Sequence, residues 1–395
     1  LKNVTVIGAG ITGITTAYYL AKSGYNVTIV DERDMPAMAT SYANGGQLSA
    51  SNAEVWNSIH SVKKGIKWMF KEDAPLLINF KPSIEKYKWL AKFLTYIKDR
   101  NVNTRETCEM AIHAHTLYRE IAEKENIEFD KVEKGILHIY RNKHELEYAR
   151  ETNEIYRHAG LDRWEVGKEE ILNIEPTLKN SISTIVGGFY NAQDYTGDIH
   201  KFCVNLMKVM QKKYGVQYVK KSLGNYGIYQ YLTSSSNPIV VCAGIGSRAI
   251  AKSVGDNIPI YPIKGYSITV NLSNADTKLA PWVSLLDDQT KIVSARLGKD
   301  RFRVAGTAEI NGYNTDIIQA RIRPLKRWVS ELFPEVSLED VKPWAGLRPM
   351  TPNMMPIVKQ SEHDKRVWYN TGHGHLGWTL SAFTAKQLAD RMKEL

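Results

Sequence analysis

Three glycines, at positions 8, 10 and 13 of Gly8-Ala9-Gly10-Ile11-Thr12-Gly13, carry the spacing with which a chain wraps the pyrophosphate of a dinucleotide. Each has a physical reason. Gly8 permits a tight turn, Gly10 lets phosphate approach the backbone, and Gly13 lets a helix pack closely on a strand. Asp31, Glu32 and Arg33 follow about twenty residues on, where the Asp31 carboxylate can accept hydrogen bonds from ribose hydroxyls. An acid there disfavours the 2′-phosphate of NADP and leaves NAD and FAD open.

A second group of residues lies at the far end of the chain. Arg348 closes the apolar run Trp344-Ala345-Gly346-Leu347 and is followed by Pro349, which fixes the turn. A buried guanidinium needs a partner, and either a bidentate substrate carboxylate or a structural salt bridge would serve. Beyond it, Thr371-Gly372-His373-Gly374-His375-Leu376-Gly377-Trp378-Thr379 leads into a helix, so a glycine-rich N-terminus is open to something with negative charge. His373 and His375 stand two apart with no carboxylate or cysteine at ligand spacing, which argues against a metal site.

The elements that must hold these residues can be read locally. Asn3–Ile7 is a β-branched strand, Ile11–Ser23 a helix stopped by Gly24, and Asn26–Val30 a strand ending at Asp31. Strand, helix, strand and terminal acid together lift the glycine spacing above an arbitrary turn. Next comes Ser41-Tyr42-Ala43-Asn44-Gly45-Gly46-Gln47-Leu48-Ser49, small and amide-rich. Such a loop brings backbone close to a large flat ligand while Asn44 and Gln47 reach ring heteroatoms, which turns the choice toward FAD. A plain solvent loop is the competing reading. Farther on, Thr104–Lys124 reads as a helix and Gly135–Arg141 as a strand. Lys291–Ile310 reads as a hairpin turning at Gly298-Lys299-Asp300, and a helix runs from Trp378 to Leu395.

At 395 residues the chain is long for one core, so two domains are expected. Its 43% hydrophobic and 24% charged residues are those of a globular protein, without low-complexity or solenoid signatures. Cys108, Cys203 and Cys242 form no CxxC pair, so a disulfide framework or zinc site is not expected and a reducing compartment is the default. The net charge of +10 favours an acidic surface as partner. Residues 55–100 mix lysines, among them 63, 64, 67, 71, 86, 88 and 92, with Trp56, Trp68, Phe70, Trp89 and Phe93. A basic, aromatic, helical face suits anionic headgroups. A helical insert with core aromatics and a solvated lysine face is the alternative. Nucleic acid fits poorly, because no recognised motif accompanies the charge. No stretch is long enough to be a transmembrane helix.

Taken together, GAGITG (8–13), SYANGGQLS (41–49), GIKWMFKEDAPL (65–76), DYTGD (194–198), YPIKGYSITV (261–270), VAGTAEINGYNTD (304–316), GLRPMTP (346–352) and NTGHGHLGWT (370–379) resemble the D-amino-acid dehydrogenase family of glycine-oxidase-like flavoproteins. The resemblance runs nearly end to end, and the last two motifs are its most specific part. It implies an α/β fold in which a Rossmann-type FAD-binding domain (1–50, 177–255 and 340–395) interleaves with a mixed-sheet substrate domain (51–176 and 256–339). It implies FAD as cofactor and oxidative deamination of D-amino acids to 2-oxo acids and ammonia by hydride transfer to flavin N5. Electrons would pass to a membrane quinone or electron-transfer protein, at the inner face of a bacterial plasma membrane.

Residue by residue, the resemblance places Gly8, Gly10, Ile11, Thr12, Gly13, Asp31, Glu32 and Arg33 at the adenosine and pyrophosphate end. Ser41, Asn44, Gly45, Gly46, Gln47 and Leu48 approach the flavin, and Gly374, Leu376, Gly377, Trp378 and Thr379 line its pyrimidine edge. Val219 and Gly244 add backbone contacts to the cofactor. Arg348 takes the substrate carboxylate, with Tyr266 a second candidate for the same group. Two departures stand out: Ser222–Tyr231 is shorter than usual, and Gly45 replaces a common alanine, which would open space by the ring. An oxygen-using oxidase of the same fold and a non-catalytic dinucleotide-binding subunit are the rival functions, and an NAD-dependent dehydrogenase is a third.

Overall fold

Strand β1 (Asn3–Ile7) is buried along almost its whole length, so it reads as an unbroken apolar run rather than an alternating one. It lies inside a six-stranded sheet of order β16-β17-β10-β1-β2-β9. The members are β2 (Asn26–Asp31), β9 (Gln217–Lys220), β10 (Ile239–Val241), β16 (Ile357–Gln360) and β17 (Val367–Thr371). All pairs are parallel except the edge pair β16–β17. The structure, a computed structural model, describes residues 2–394 apart from 70, 72, 223–229, 232, 233 and 235. Most of the shortened stretch after Ser222 therefore lies outside the described residues.

Helix α1 (Ile11–Lys22) leaves the glycine turn and packs on the C-terminal helix Gly377–Lys393. Ala17, Ala382 and Ala389 keep the two close, and Thr12 Oγ1 meets Ser381 Oγ at 2.9 Å. Residues from both ends of the chain thus share one core with Tyr118, Phe129 and Phe202.

The second sheet has the order β15-β11-β14-β13-β12-β5-β7-β6, with β4 added to β14. Its strands are β4 (Leu76–Ile78), β5 (Ile136–Tyr140), β6 (Trp164–Val166), β7 (Gly187–Asn191), β11 (Tyr261–Asn271), β12 (Ser284–Asp287), β13 (Ile292–Leu297), β14 (Arg301–Ile310) and β15 (Val341–Met350). A short ribbon, β3 (Gln47–Leu48) with β8 (Tyr195–Thr196), completes the strands. One face of the second sheet is sealed by the helix Gln319–Leu332, whose Ile322, Leu325, Trp328 and Leu332 pack with Ile268, Val270, Phe302 and Val304. The other face fronts the site.

Two strands fall on the other side of the expected division. β7 and β15 lie within 177–255 and 340–395 yet belong to the second sheet. For β15 the cause is an uninterrupted ladder with β11, from Tyr261 opposite Met350 to Val270 opposite Val341.

The basic segment forms α2 (Ile59–Trp68), β4 and α3 (Ile84–Thr95), with Ser58 and Ser83 capping the helices. It is followed by α4 (Arg100–Glu125). Its residues divide. Trp89 is core and its indole N–H donates to the Met350 carbonyl at 2.9 Å. Lys86, expected on the basic face, is buried against the carbonyls of Asn79 and Lys81. Lys64 turns inward to Glu145 at 2.6 Å. Ile59, Ile66, Phe80, Ile84, Tyr87 and Leu94 are exposed. Among the described residues no helix is long and apolar enough to cross a membrane.

Candidate active site

Between the sheets lies a cavity of about 1330 Å³, walled by the glycine turn, the loop after β2, the face of β11, β14 and β15, and the turn before the C-terminal helix. The glycine turn is built for close packing. Gly8 has φ +106°, and a Cβ there would overlap the Cys242 carbonyl. A Cβ on Gly13 would overlap the Gly8 carbonyl, so Gly13 serves the packing of α1 on the turn. At Gly10 the neighbour is the Ser41 hydroxyl, 3.4 Å from an added Cβ, which is ordinary contact. Its glycine therefore matters for what enters the cavity. The Asp31 carboxylate accepts from the Ala9 N–H at 2.7 Å and the Arg33 N–H at 2.9 Å, tying the turn to the end of β2. A carboxylate has about four lone-pair sites, so acceptors remain for a ribose. A free helix N-terminus, two glycines that exclude any side chain and a carboxylate at the strand end fit the adenosine pyrophosphate of FAD. Glu32, Arg33, Ile11, Thr12 and Gly244 also line this part of the cavity.

Along the loop after β2, Ser41 Oγ accepts from the Ile11 N–H at 3.1 Å, and Asn44 Oδ1 accepts from the Gly46 N–H at 3.0 Å. Gly46 has φ +73°, and a Cβ on Gly45 would come within 2.8 Å of Val293 Cγ2. The absent methyl at 45 is thus taken up by β13 and opens no space. Gln47 and Trp378 line the cavity, as expected, and Leu48 does not. The Gln47 amide donates to Ser284 Oγ and the Leu285 carbonyl, and Leu48 is fully buried in the core. The Trp378 ring packs edge-on to Tyr118, Phe129 and Phe202. Thr379 Oγ1 accepts from the Ser49 N–H at 3.3 Å, joining this loop to the C-terminal helix. Gly374 has φ +56°, and its missing Cβ makes room for Met350 Sδ, which it would meet at 2.7 Å. Leu376 is buried and Gly377 begins the helix. Val219, expected to contribute backbone, lies on β9 with its side chain exposed, and nearby Lys221 lines the cavity.

Arg348 rises from β15 onto the cavity face. Its guanidinium lies flat across Gly265, where a Cβ would overlap it. Nη1 is directed at the carbonyls of Thr307 at 3.2 Å and Lys264 at 3.4 Å. Among the described residues no carboxylate lies within ion-pair distance, so the salt-bridge reading has no partner. Burial alone lowers its pKa, to about 10, which leaves it fully charged at neutral pH. Thr307 is part of the device. It has φ +62° in a bulge of β14 opposite Lys264 and Tyr266, a strained conformation for a β-branched residue.

Tyr266 lines the cavity, but its hydroxyl does not join this group. Successive strand residues face opposite ways. Gly265 faces the guanidinium, while the Tyr266 hydroxyl donates to Glu309 at 2.7 Å within the core beneath the Gln319–Leu332 helix. His375, which sequence reasoning had weighed only for metal, stacks on Trp56 at 4.7 Å, and burial plus the nearby Arg348 lower its pKa to about 3. His373 Nε2 pairs with Thr384 Oγ1 at 2.8 Å and is likewise held neutral by burial. Gly265 and Trp344 were missed. The signal was available, since a strand places 344, 346 and 348 on one face.

Comparison with known proteins agrees with this geometry. A family model described as "FAD dependent oxidoreductase" matches residues 3–391. A D-amino acid dehydrogenase of Mesorhizobium japonicum is 51% identical over 98% of this chain and 96% of its own. One from Dechloromonas aromatica is 36% identical over the same shares. The structure of glycine oxidase from Bacillus cereus superposes with a TM-score of 0.70 at 18% identity, covering 100% of this chain and 95% of that one, a likeness of fold. With both its cofactor cradle and nearly its whole length accounted for, the chain belongs to the family of FAD-dependent oxidoreductases.

Proposed function

We propose that the protein is an FAD-dependent D-amino acid dehydrogenase in which Arg348 binds the substrate carboxylate. The observation that carries the assignment of the site is a guanidinium facing the cofactor cavity with main-chain carbonyls as its only hydrogen-bond partners among the described residues. A carboxylate supplies the bidentate, charge-assisted pair this group lacks. Holding it aims the substrate Cα–H, and orientation of this kind is worth up to roughly 7–11 kcal/mol. FAD, when bound, accepts the two electrons that leave Cα as hydride. Loss of that hydride and of an N–H proton gives the imine, which water converts to 2-oxo acid and ammonia. His375 and His373 are neutral near pH 7, so the positive charge offered to the carboxylate is that of Arg348.

The test is anaerobic mixing with a panel of D- and L-amino acids. D-amino acids should bleach the flavin absorbance and L-amino acids should not. Reoxidation should be fast with a quinone and slow with oxygen. Bleaching by L-amino acids alone would sink the stereochemical reading, and rapid peroxide release would make the protein an oxidase.

The acceptor reading is a quinone or electron-transfer protein reached at the inner face of the plasma membrane, with 55–100 as the contact. Its support is the exposed apolar set Ile59, Ile66, Phe80, Ile84, Tyr87 and Leu94 among exposed Lys63, Lys67, Lys88 and Lys92. Ile66 and Leu94 also line the cavity, so its mouth opens on that face. The protein should sediment with anionic vesicles and not with zwitterionic ones, and lose binding several-fold as salt shortens the Debye length from about 10 Å to about 3 Å. The double variant Ile59→Asp/Ile84→Asp, at exposed positions that do not line the cavity, should abolish sedimentation without changing turnover of a soluble dye. Undiminished binding would remove this face from consideration.

A further inference from the structure

Arg348 occupies half of a floor whose other half belongs to Trp344. β11 and β15 pair Gly265 directly with Gly346. Both lack a side chain on the cavity face. The guanidinium of Arg348 fills the space above Gly265, and the benzo ring of Trp344 fills the space above Gly346. The two side chains thus fold toward each other from positions 344 and 348. Paired Cα atoms across an antiparallel ladder lie about 4.5–5.5 Å apart, so cation and ring lie within the span of one amino acid.

The other tryptophans near this sheet are anchored. Trp89 donates to the Met350 carbonyl, Trp328 donates to Asp287 at 2.9 Å, and Trp56 stacks on His375. The Trp344 indole makes no hydrogen bond or ring contact among the described residues and belongs to none of the core clusters, yet it lines the cavity and is only half-buried. An indole on the cavity wall, lying over Gly346 with no N–H partner among the described residues, offers an apolar surface to a ligand group. Two glycines are needed to keep it beside the charge.

We propose that Trp344 selects the substrate side chain. With the carboxylate on Arg348, an apolar side chain lies on the indole, and the site takes amino acids whose side chains are apolar. The proposal rests on the carboxylate reading of Arg348, and the test separates the two. Acetate and benzoate, titrated into the FAD-loaded enzyme by calorimetry, present the same carboxylate with and without an apolar group. Trp344→Ala should weaken benzoate by about tenfold and leave acetate within about twofold, as expected for loss of an apolar contact. In turnover, KM for D-leucine and D-phenylalanine should rise by about the same factor relative to D-alanine, with kcat little changed. Trp344→Phe should restore most of the difference, and Gly346→Ala, which displaces the ring without removing it, should reproduce the loss. Should Trp344→Ala fail to fold, Trp344→Phe and Gly346→Ala carry the comparison. Equal weakening of acetate and benzoate, or no change in either, overturns the role of Trp344. Arg348→Ala should weaken both ligands alike; if it weakens neither, the carboxylate reading itself falls.

Discussion

Replacing Arg348 with alanine should lower kcat/KM for D-amino acids by roughly 100- to 1,000-fold and leave the melting temperature unchanged or higher. The two effects have one cause. The half-buried guanidinium has two carbonyls but no counter-ion among the described residues, and burial lowers its pKa to about 10. In the resting protein such a charge is a liability, so its removal costs little stability. In the complex it meets a carboxylate, and truncating one partner of a desolvated pair is expensive. The carboxylate is present in ground state and transition state alike, so KM should rise most, with a smaller fall in kcat from lost aim. Arg348→Lys should recover only part, since an ammonium cannot form the fork. Gly265→Ala should mimic Arg348→Ala with the charge still present, because its methyl takes the place where the guanidinium lies. Steady-state kinetics and thermal melts decide it. A drop of many degrees with unchanged KM would mean the arginine is structural.

The second large effect is expected at Gly13. An added methyl there overlaps the Gly8 carbonyl, a backbone atom held by the neighbouring turn, where the Gly8 N–H donates to the Val30 carbonyl at 2.9 Å. Overpacking of this kind usually costs about 1–3 kcal/mol, and backbone cannot yield as a side chain would. Gly13→Ala should therefore purify with little flavin and melt several degrees low. Gly10→Ala should behave differently. Its methyl meets only the Ser41 hydroxyl, at 3.4 Å, so the apoprotein should be as stable as before while flavin binds weakly. The ratio of flavin to protein absorbance, with a melt of each apoprotein, separates the two. Gly10→Ala with a full complement of flavin would show that phosphate does not approach at that residue.

Much of the fold was legible because its signals are local. The strand, glycine turn, helix and acid over 3–31 form as read, as do the hairpin at Gly298-Lys299-Asp300 and the C-terminal helix. What escaped was decided at long range. β15 looks like a companion of the residues that follow it, but a ten-residue ladder places it beside β11. Tyr266 is placed beside Arg348 by likeness to relatives, whereas its hydroxyl turns to Glu309 on the face opposite Gly265. Gln47, Leu48 and Trp378 sit in segments that do line or flank the site, yet their side chains satisfy a strand and a core that sequence alone does not locate. Val219 was placed by likeness to relatives, and the length of the following stretch differs here.

The packing of β15 against the turn before the last helix constrains how this scaffold can change its substrate. Met350, two residues beyond Arg348, bridges to His373, and its sulfur fills the space a side chain at Gly374 would need. A mutation library drawn over 346–350 would therefore disturb cofactor retention as often as selectivity. Diversity is better spent on Ile263, Ile310 and Tyr313, which wall the same cavity from neighbouring strands and the adjoining loop and make no such bridge to the turn. Breeding a new specificity here means leaving the strand that carries the clamp alone and varying its neighbours.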